Sequence, residues 1–342
     1  MFISFLIFCI IVLLICPTMI WLVCWIVARL CHHSMPFAPF CYTGLALVLL
    51  FCGTMLYGYW FGRKQLHVIE TTYTSPQVPA AFNNYKIVHI SDLHLSSFAD
   101  SPKFLKRIID TINAQQPDLI CFTGDFVGFG VEEAIPFTNI LLQMQAKDGI
   151  MSVLGNHDFA LYHHGLTDAE KEEKVNQLTT YQRDTLGWQL LRNQSYFIQR
   201  DSAYLQIIGV DNTSCKGQGF QTISRGDLNA ALQFRGRPTG YSLEAKGNGI
   251  QILLTHDPSH WRGEVIPKTD IPLTLSGHTH AGQVRLFGYP LSSLMFTESE
   301  GWYHTTQHHA TQSLHINTGL GCTLPVRIGA PAEITVLTLQ AE

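Results

Sequence analysis

Charged side chains are missing from two long stretches near the start of the chain, Phe2 to Ala28 and Pro39 to Gly62, which run for 27 and 24 residues. A helix needs roughly 20 apolar residues to cross a bilayer. Each stretch therefore predicts a transmembrane helix, and the first has length to spare for tilt or a bend at Pro17. A cleaved signal peptide would open on basic residues ahead of a short apolar core, whereas no Lys or Arg precedes Arg29. The expectation is a retained two-helix membrane anchor over residues 1–62. With both helices spanning, the N-terminus and the remainder of the chain share a side. Arg63 and Lys64 after the second run outweigh Arg29 between the runs, so the positive-inside bias favours a cytoplasmic domain.

Residues 63–85 are polar, with Thr and Pro, and read as a connector. Beyond them, over 86–342, short apolar runs alternate with longer mixed segments, the pattern of an α/β domain. Predicted strands lie at Ile87–Ile90, Leu119–Phe122, Ile150–Leu154, Tyr196–Ile198, Leu205–Val210, Ile252–Leu254, Leu273–Leu275, Leu314–Ile316 and Ile334–Leu339. Between the first two, Phe104, Leu105, Ile108, Ile109 and Ile112 share one helical face, with Ser101 as N-cap and Pro102 in the first turn. Leu141, Leu142 and Met144 mark a second amphipathic stretch. Thr167 and Glu170 have capping-box spacing and open a charged helix that Gly187 closes.

Composition narrows the choice. A net charge of −4 with no basic run leaves no footprint for nucleic acid. Of nine cysteines, six fall in the apolar N-terminal part and only Cys121, Cys215 and Cys322 beyond it, so no disulfide framework is indicated. Histidine, with 16 residues, is the unusual count.

The polar residues of chemical interest follow directly on predicted strands: Ser91-Asp92-Leu93-His94, Gly124-Asp125, Gly155-Asn156-His157-Asp158, Thr255-His256 and Gly277-His278-Thr279-His280. In parallel α/β sheets ligands gather outside the carboxyl ends of strands, because the chain leaves the sheet there and side chains converge on one rim. Imidazole, carboxylate and amide oxygen without thiolate suit divalent transition metals such as manganese, iron or zinc better than a structural zinc or a calcium cage. A carboxylate such as Asp125 has two oxygens and can bridge two ions.

In this order, Asp-x-His, Gly-Asp, Gly-Asn-His-Asp, a lone His and Gly-His-x-His resemble the calcineurin-like metallophosphoesterases over essentially all of residues 86–340. The resemblance implies a four-layer αββα sandwich preceded by the two transmembrane helices. It implies two divalent metal ions, one held by Asp92, His94, Asp125 and His280, the other by Asp125, Asn156, His256 and His278. Such a pair activates water and clamps the phosphoryl oxygens during in-line attack. His157 is implied as the acid that protonates the leaving oxygen, with Asp158 as its orienter. Asn317-Thr-Gly-Leu-Gly321, Pro325-Val-Arg-Ile-Gly329 and Pro331-Ala-Glu333 further resemble a bacterial branch with N-terminal membrane segments. Some members of that branch hydrolyse UDP-2,3-diacylglucosamine. A phosphodiesterase or pyrophosphatase of the bacterial inner membrane, acting on a lipid-linked substrate, is the leading expectation.

Rival readings are a general phosphodiesterase for small soluble esters and a metal-binding interaction module without catalysis. A transporter is disfavoured because neither apolar run carries a charge to line a path. His163 and His164 are read as solvated loop residues, and His32-His33 and His308-His309 likewise. Arg183, Arg192, Arg225, Arg285 and Arg327 match phosphate geometry, but none is singled out. Cys121 fits as a small core residue, and Trp302 and Tyr303 fit either packing or the entrance.

Overall fold

The computed structural model describes residues 2–233, 249–307 and 310–342; the His308-His309 pair lies outside them. The chain divides into a smaller unit, Met1–Arg63 with Leu324–Ile328, and a larger one, Lys64–Thr323 with Gly329–Glu342.

In the smaller unit, the two chargeless runs form α1 (Phe2–Leu30) and α2 (Ala38–Trp60). Both are long and apolar enough to cross a membrane, and hardly any of their apolar side chains are buried. A core helix would bury that surface, so the exposure marks lipid as its solvent. The two helices meet at Gly44, where a Cβ would make ordinary van der Waals contact with Leu13 and Pro17 of α1.

In the larger unit, the strands in chain order are β1 (Leu66–Ser75), β2 (Tyr85–Ile90), β3 (Leu119–Phe122), β4 (Ile150–Ser152), β5 (Gln189–Leu190), β6 (Gln194–Arg200), β7 (Ala203–Gly209), β8 (Gly249–Leu254) and β9 (Leu273–Ser276). Then follow a short hairpin, β10 (Arg285–Leu286) with β11 (Tyr289–Pro290), and β12 (Gly301–Gln307), β13 (Ala310–Ile316) and β14 (Ala332–Ala341). They build two six-stranded mixed sheets of order β1-β14-β2-β3-β4-β5 and β12-β13-β9-β8-β7-β6. Each is parallel at its centre, β2-β3-β4 in one and β7-β8-β9 in the other.

Three apolar clusters explain why the central strands read as unbroken apolar runs. Ile87, Leu119, Cys121 and Met151 of the first sheet pack against Ile207, Ile252, Leu254 and Leu275 of the second. The alternate residues Val88, Ile120 and Phe122 face outward, where Phe104, Leu105, Ile108, Ile109 and Ile112 of α3 (Pro102–Ala114) cover them. On the far side, Ile208 and Leu253 face Trp261, Val265 and Ile266. The central strands are buried on both faces, so side chains alternating across their pleat are mostly apolar. The architecture is the expected αββα sandwich.

Three local expectations need correction, and a fourth holds. Residues 66–75, expected within a connector, form β1, paired in parallel with β14 over its whole length. Their Thr and His content hid the strand because most of its side chains are not buried. Ser101 stands at the start of α3, but its side chain makes no capping bond; its carbonyl accepts the Phe104 N–H instead. Of the second amphipathic stretch only α4 (Thr138–Leu141) is helical, and Leu142 is exposed while Leu141 and Met144 are buried. The charged helix α5 (Asp168–Thr180) opens on the predicted capping box, then widens into a π turn over Tyr181–Thr185 before Gly187.

Candidate metal centre

The exits of β2, β3 and β4 from one sheet and of β8 and β9 from the other meet at one place. The convergence therefore crosses between sheets. Five of the seven candidate ligands sit in left-handed backbone: Asp92 (φ 52°), His94 (40°), Asp125 (56°), His278 (73°) and His280 (51°). Such angles are uncommon outside glycine and concentrate where surrounding structure enforces them for function. Two preceding glycines show how tight the meeting is. A Cβ on Gly124, itself at φ 99°, would lie 2.6 Å from the backbone N of Gly155 and 2.8 Å from Nδ1 of His256. A Cβ on Gly277 would enter Ser91 and Asp92.

Two nests of donor atoms result. In the first, Nε2 of His280 lies 3.2 Å from Oδ1 of Asp92 and 3.2 Å from Nε2 of His94, which is 3.4 Å from Oδ2 of Asp125. In the second, Nε2 of His256 is 3.2 Å from the same Asp125 Oδ2 and 3.2 Å from Nδ1 of His278. Asp125 does not divide its oxygens between the nests. Its Oδ1 accepts the His157 N–H at 2.9 Å, which leaves Oδ2 alone between them. Asp92 is used in the same way, its Oδ2 accepting the His278 N–H at 3.0 Å. The Asn156 amide donates through Nδ2 to Tyr162 Oη at 3.0 Å.

These residues fit metal ions on three counts. Among the described residues, Oδ1 of Asp92 and Oδ1 of Asn156 are buried acceptors with no hydrogen-bond partner, an arrangement that costs stability unless something is bound. Imidazole nitrogens face one another in pairs, Nε2 of His94 lying 3.2 Å from Nε2 of His280 and Nδ1 of His278 lying 3.2 Å from Nε2 of His256. The charge is also incomplete. Burial alone would push the two aspartates up, but the neighbouring histidines outweigh it and hold both carboxyls below the usual range. Burial presses His94 down to about 3 and also lowers His278, so both rings are neutral, as a ligand must be. His256 is raised, to about 10, where Asp125 and Asp92 outweigh its burial. Nδ1 of His256 faces the Thr123 carbonyl at 2.7 Å, turning Nε2 inward as the ring of a metal-ligating histidine is normally fixed.

The calcineurin-like phosphoesterase profile matches residues 85–282, more than half of the chain and all five motifs. The chain belongs to this family. The metallophosphoesterase YkuE of Bacillus subtilis (strain 168) is 33% identical over 298 residues, covering 83% of this chain and 90% of that protein. A transmembrane protein with metallophosphoesterase domain from Danio rerio is 25% identical over 322 residues, 92% of this chain and 66% of its own length. A Bos taurus protein of the same description is 26% identical over 78% of this chain and 55% of its own. As a calcineurin-like phosphoesterase, the chain is a metal-dependent hydrolase of phosphoric esters, in a family that uses a dinuclear metal centre. With its two apolar helices and transmembrane relatives, it is a membrane protein.

His157 stands at the edge of the first nest, its ring 4.8 Å from that of His94 and edge-on to it. The predicted orienter is corrected here. The carboxylate of Asp158 accepts the N–H groups of Phe126, Val127 and Gly155, stapling the β3 exit to the β4 exit. Burial, with the charge of Asp125 second, raises its pKa to about 8. The His157 ring is oriented instead by the Gly128 carbonyl, 3.2 Å from Nδ1. A carbonyl only accepts, so the proton sits on Nδ1 and Nε2 is left for chemistry.

Three supporting groups had no motif to announce them. Tyr162 holds Asn156 and lays its ring 4.3 Å from that of His157. Asp257 reaches to 3.8 Å from Nε2 of His278 and is fixed by Ser214 and Ser259. The third is the Gly128 carbonyl. A tyrosine six residues past Asn156 carries no signal without the turn that folds it back, although an aspartate directly after His256 was visible. Arg192, Arg225 and Arg285 are paired with Asp211, Glu172 and Glu300. Trp302 packs, its ring 4.8 Å from His315 and its N–H on Thr71, and Tyr303 accepts the Ser299 N–H. His163 lies edge-on to Phe129.

Proposed function

We infer that this protein hydrolyses a phosphodiester or pyrophosphate bond in a lipid-linked substrate of the UDP-2,3-diacylglucosamine kind, at the bacterial inner membrane, with its catalytic domain on the cytoplasmic side. The observation that carries this is the joint presence of a complete buried donor set and two membrane-spanning helices in one chain. A domain tethered to a bilayer meets lipid headgroups at high effective concentration.

Asp92, His94, Asp125 and His280 would hold one divalent ion, and Asp125, Asn156, His256 and His278 the other, with Asp125 belonging to both sets. Bound there, a pair of manganese, iron or zinc ions supplies Lewis-acid polarisation of phosphoryl oxygens and lowers the pKa of water. The chain's own residues do the rest. The Thr123 carbonyl and the backbone bonds to Asp92 and Asp125 hold the donors in place before substrate arrives, so no reorganisation accompanies reaction. His157, acting as an imidazolium whose Nδ1–H is held on the Gly128 carbonyl, presents Nε2–H to donate its proton to the departing oxygen, which leaves the ring neutral. The buried carboxylate of Asp158 keeps the two exits in register, so that His157 and Asp125 move as one body.

The test is hydrolysis by the full chain of a panel of nucleotide-linked lipids, phospholipids and soluble diesters, with product masses measured. Turnover confined to lipid-linked compounds supports the reading. Equal or better turnover of soluble diesters moves the protein to the small-ester alternative.

A further inference from the structure

Between Arg285 and Glu298 the chain carries no charge for twelve residues, Leu286 to Thr297, and it leaves much of that apolar surface in the open. Phe287 is 92% exposed, Leu294 82%, Tyr289 75% and Leu286 57%; Leu291 and Met295 are also exposed. Singly exposed apolar residues are ordinary, but six within ten positions are a patch, and such patches mark a surface that something covers.

The segment is built rather than loose. Leu286 pairs with Tyr289 and Arg285 with Pro290, closing a two-residue turn at Phe287-Gly288. Phe287 (φ 53°) and Gly288 (φ 88°) both take the left-handed angles of a primed hairpin turn. Phenylalanine is a costly residue there. The base is clamped, since the Arg285 guanidinium bonds the Glu300 carboxylate at 2.7 Å and the Gly329 carbonyl at 2.8 Å. The Leu291 N–H bonds the Val284 carbonyl at 2.9 Å, folding the second half back.

Both ends of the patch attach to the metal centre. It begins six residues after His280, and it ends at buried Phe296, whose ring stands edge-on to His278 at 5.6 Å. The exposed apolar tip is therefore carried on the rim of the site by the loop that supplies two of its donors.

We propose that the hairpin Arg285–Pro290 with Leu291–Met295 is a membrane-contacting element: its Phe, Tyr and Leu side chains enter the interfacial layer of the bilayer and hold the rim of the metal centre at lipid headgroups. The occupant is a lipid surface because the same chain spans a membrane, with only five residues between the end of α2 at Trp60 and the start of β1 at Leu66. A patch of Phe, Tyr and Leu without charge is the composition that settles at an interface. This seating deepens the lipid-linked reading, and it rests on that reading only in the kinetic part of its test.

The full chain is reconstituted in phosphatidylethanolamine and phosphatidylglycerol vesicles, with or without brominated acyl chains. Phe287→Trp should add blue-shifted emission over wild type that bromine quenches, while Tyr196→Trp, on exposed β6, should add emission that bromine leaves alone. Unquenched, red-shifted emission from position 287 overturns the proposal. So does blue-shifted emission indifferent to bromine in a protein of doubled mass, which would give the patch to a second copy of the chain. In the kinetic part, the double variant Phe287→Ser, Leu294→Ser should lose roughly tenfold in kcat/KM on a vesicle-borne phosphodiester, chiefly through KM. It should match wild type on bis(p-nitrophenyl) phosphate. Equal loss on both substrates, or loss on neither, counts against the seating. Wild type that hydrolyses neither removes the phosphoesterase reading, and the bromine result then stands or falls alone.

Discussion

Two clusters of closely packed histidines, one at the strand exits and one between the sheets, differ in a way that separates a binding site from a core. At the strand exits, His94, His256, His278 and His280 surround two carboxylates and two acceptors without partners. Between the sheets, Nδ1 of His89 lies 3.2 Å from Nδ1 of His315, and Nε2 of His89 lies 3.0 Å from the Thr123 hydroxyl. Burial holds both core rings in the neutral form, His315 at about 4. Asp92, three residues along from His89, is too weak an opposing influence to change that. Burial is common to both groups. What distinguishes them is the pair of carboxylates, which leaves the rim short of positive charge, whereas the core pair is satisfied by a hydrogen bond and needs no ion.

The largest effect that could break this contrast is at Asp125. Asp125→Asn removes the charge that both nests share while keeping the side chain's shape, so kcat should fall by about a thousandfold or more, roughly 4 kcal/mol of transition-state stabilisation. Elemental analysis should find metal lost together with activity. Full turnover with normal metal content would show that the rim is not the centre of the chemistry.

Next, His157→Ala should retain metal and lose about 10²- to 10⁴-fold in kcat. Wild-type rates on a natural substrate would remove it as the acid. A smaller effect is expected from Tyr162→Phe, which frees the Asn156 amide to turn. Supporting groups of this kind typically contribute 10- to 100-fold in metal affinity. One ion should then be lost more readily than the other on titration with a chelator, and equal retention of both would reduce Tyr162 to packing.

The smallest effect on activity belongs to the core pair. His315→Gln should leave metal content intact and kcat within about twofold, with about 1–3 kcal/mol of stability lost from the disturbed buried bond. Its pH signature has a definite sign. His315 has a folded pKa near 4 against about 6.5 unfolded, so the unfolded chain binds more protons between those values. Wild-type stability should therefore fall as pH drops from about 6.5 towards 4, and His315→Gln should flatten that slope in thermal melts. A variant that lost metal would erase the distinction between the two clusters.

The order of motifs and the runs between them were legible in the sequence because both depend on local rules. A central strand buried on both faces must be apolar at every position, and a donor at a strand exit needs only to follow one. That placed the seven donors and His157 in one neighbourhood before any geometry was known. The chargeless runs were equally plain, since a bilayer tolerates nothing else.

Edge strands and supporting contacts were not legible. β1 has one partner strand and largely unburied side chains, so its polar sequence matched a linker, and its place beside β14 depends on residues more than 250 positions away. Asp158 looked like a partner for its neighbour, yet the turn aims it at three backbone N–H groups, and a carbonyl from another exit takes the ring. The left-handed angles at five donors, the sharing of one Asp125 oxygen and the exposure of Phe287 are likewise products of two sheet rims meeting. Residue type and spacing determined which groups could bind a metal. Only the tertiary structure decided which atoms face the ions and which hold the site open, because those choices are made by backbone groups distant in sequence.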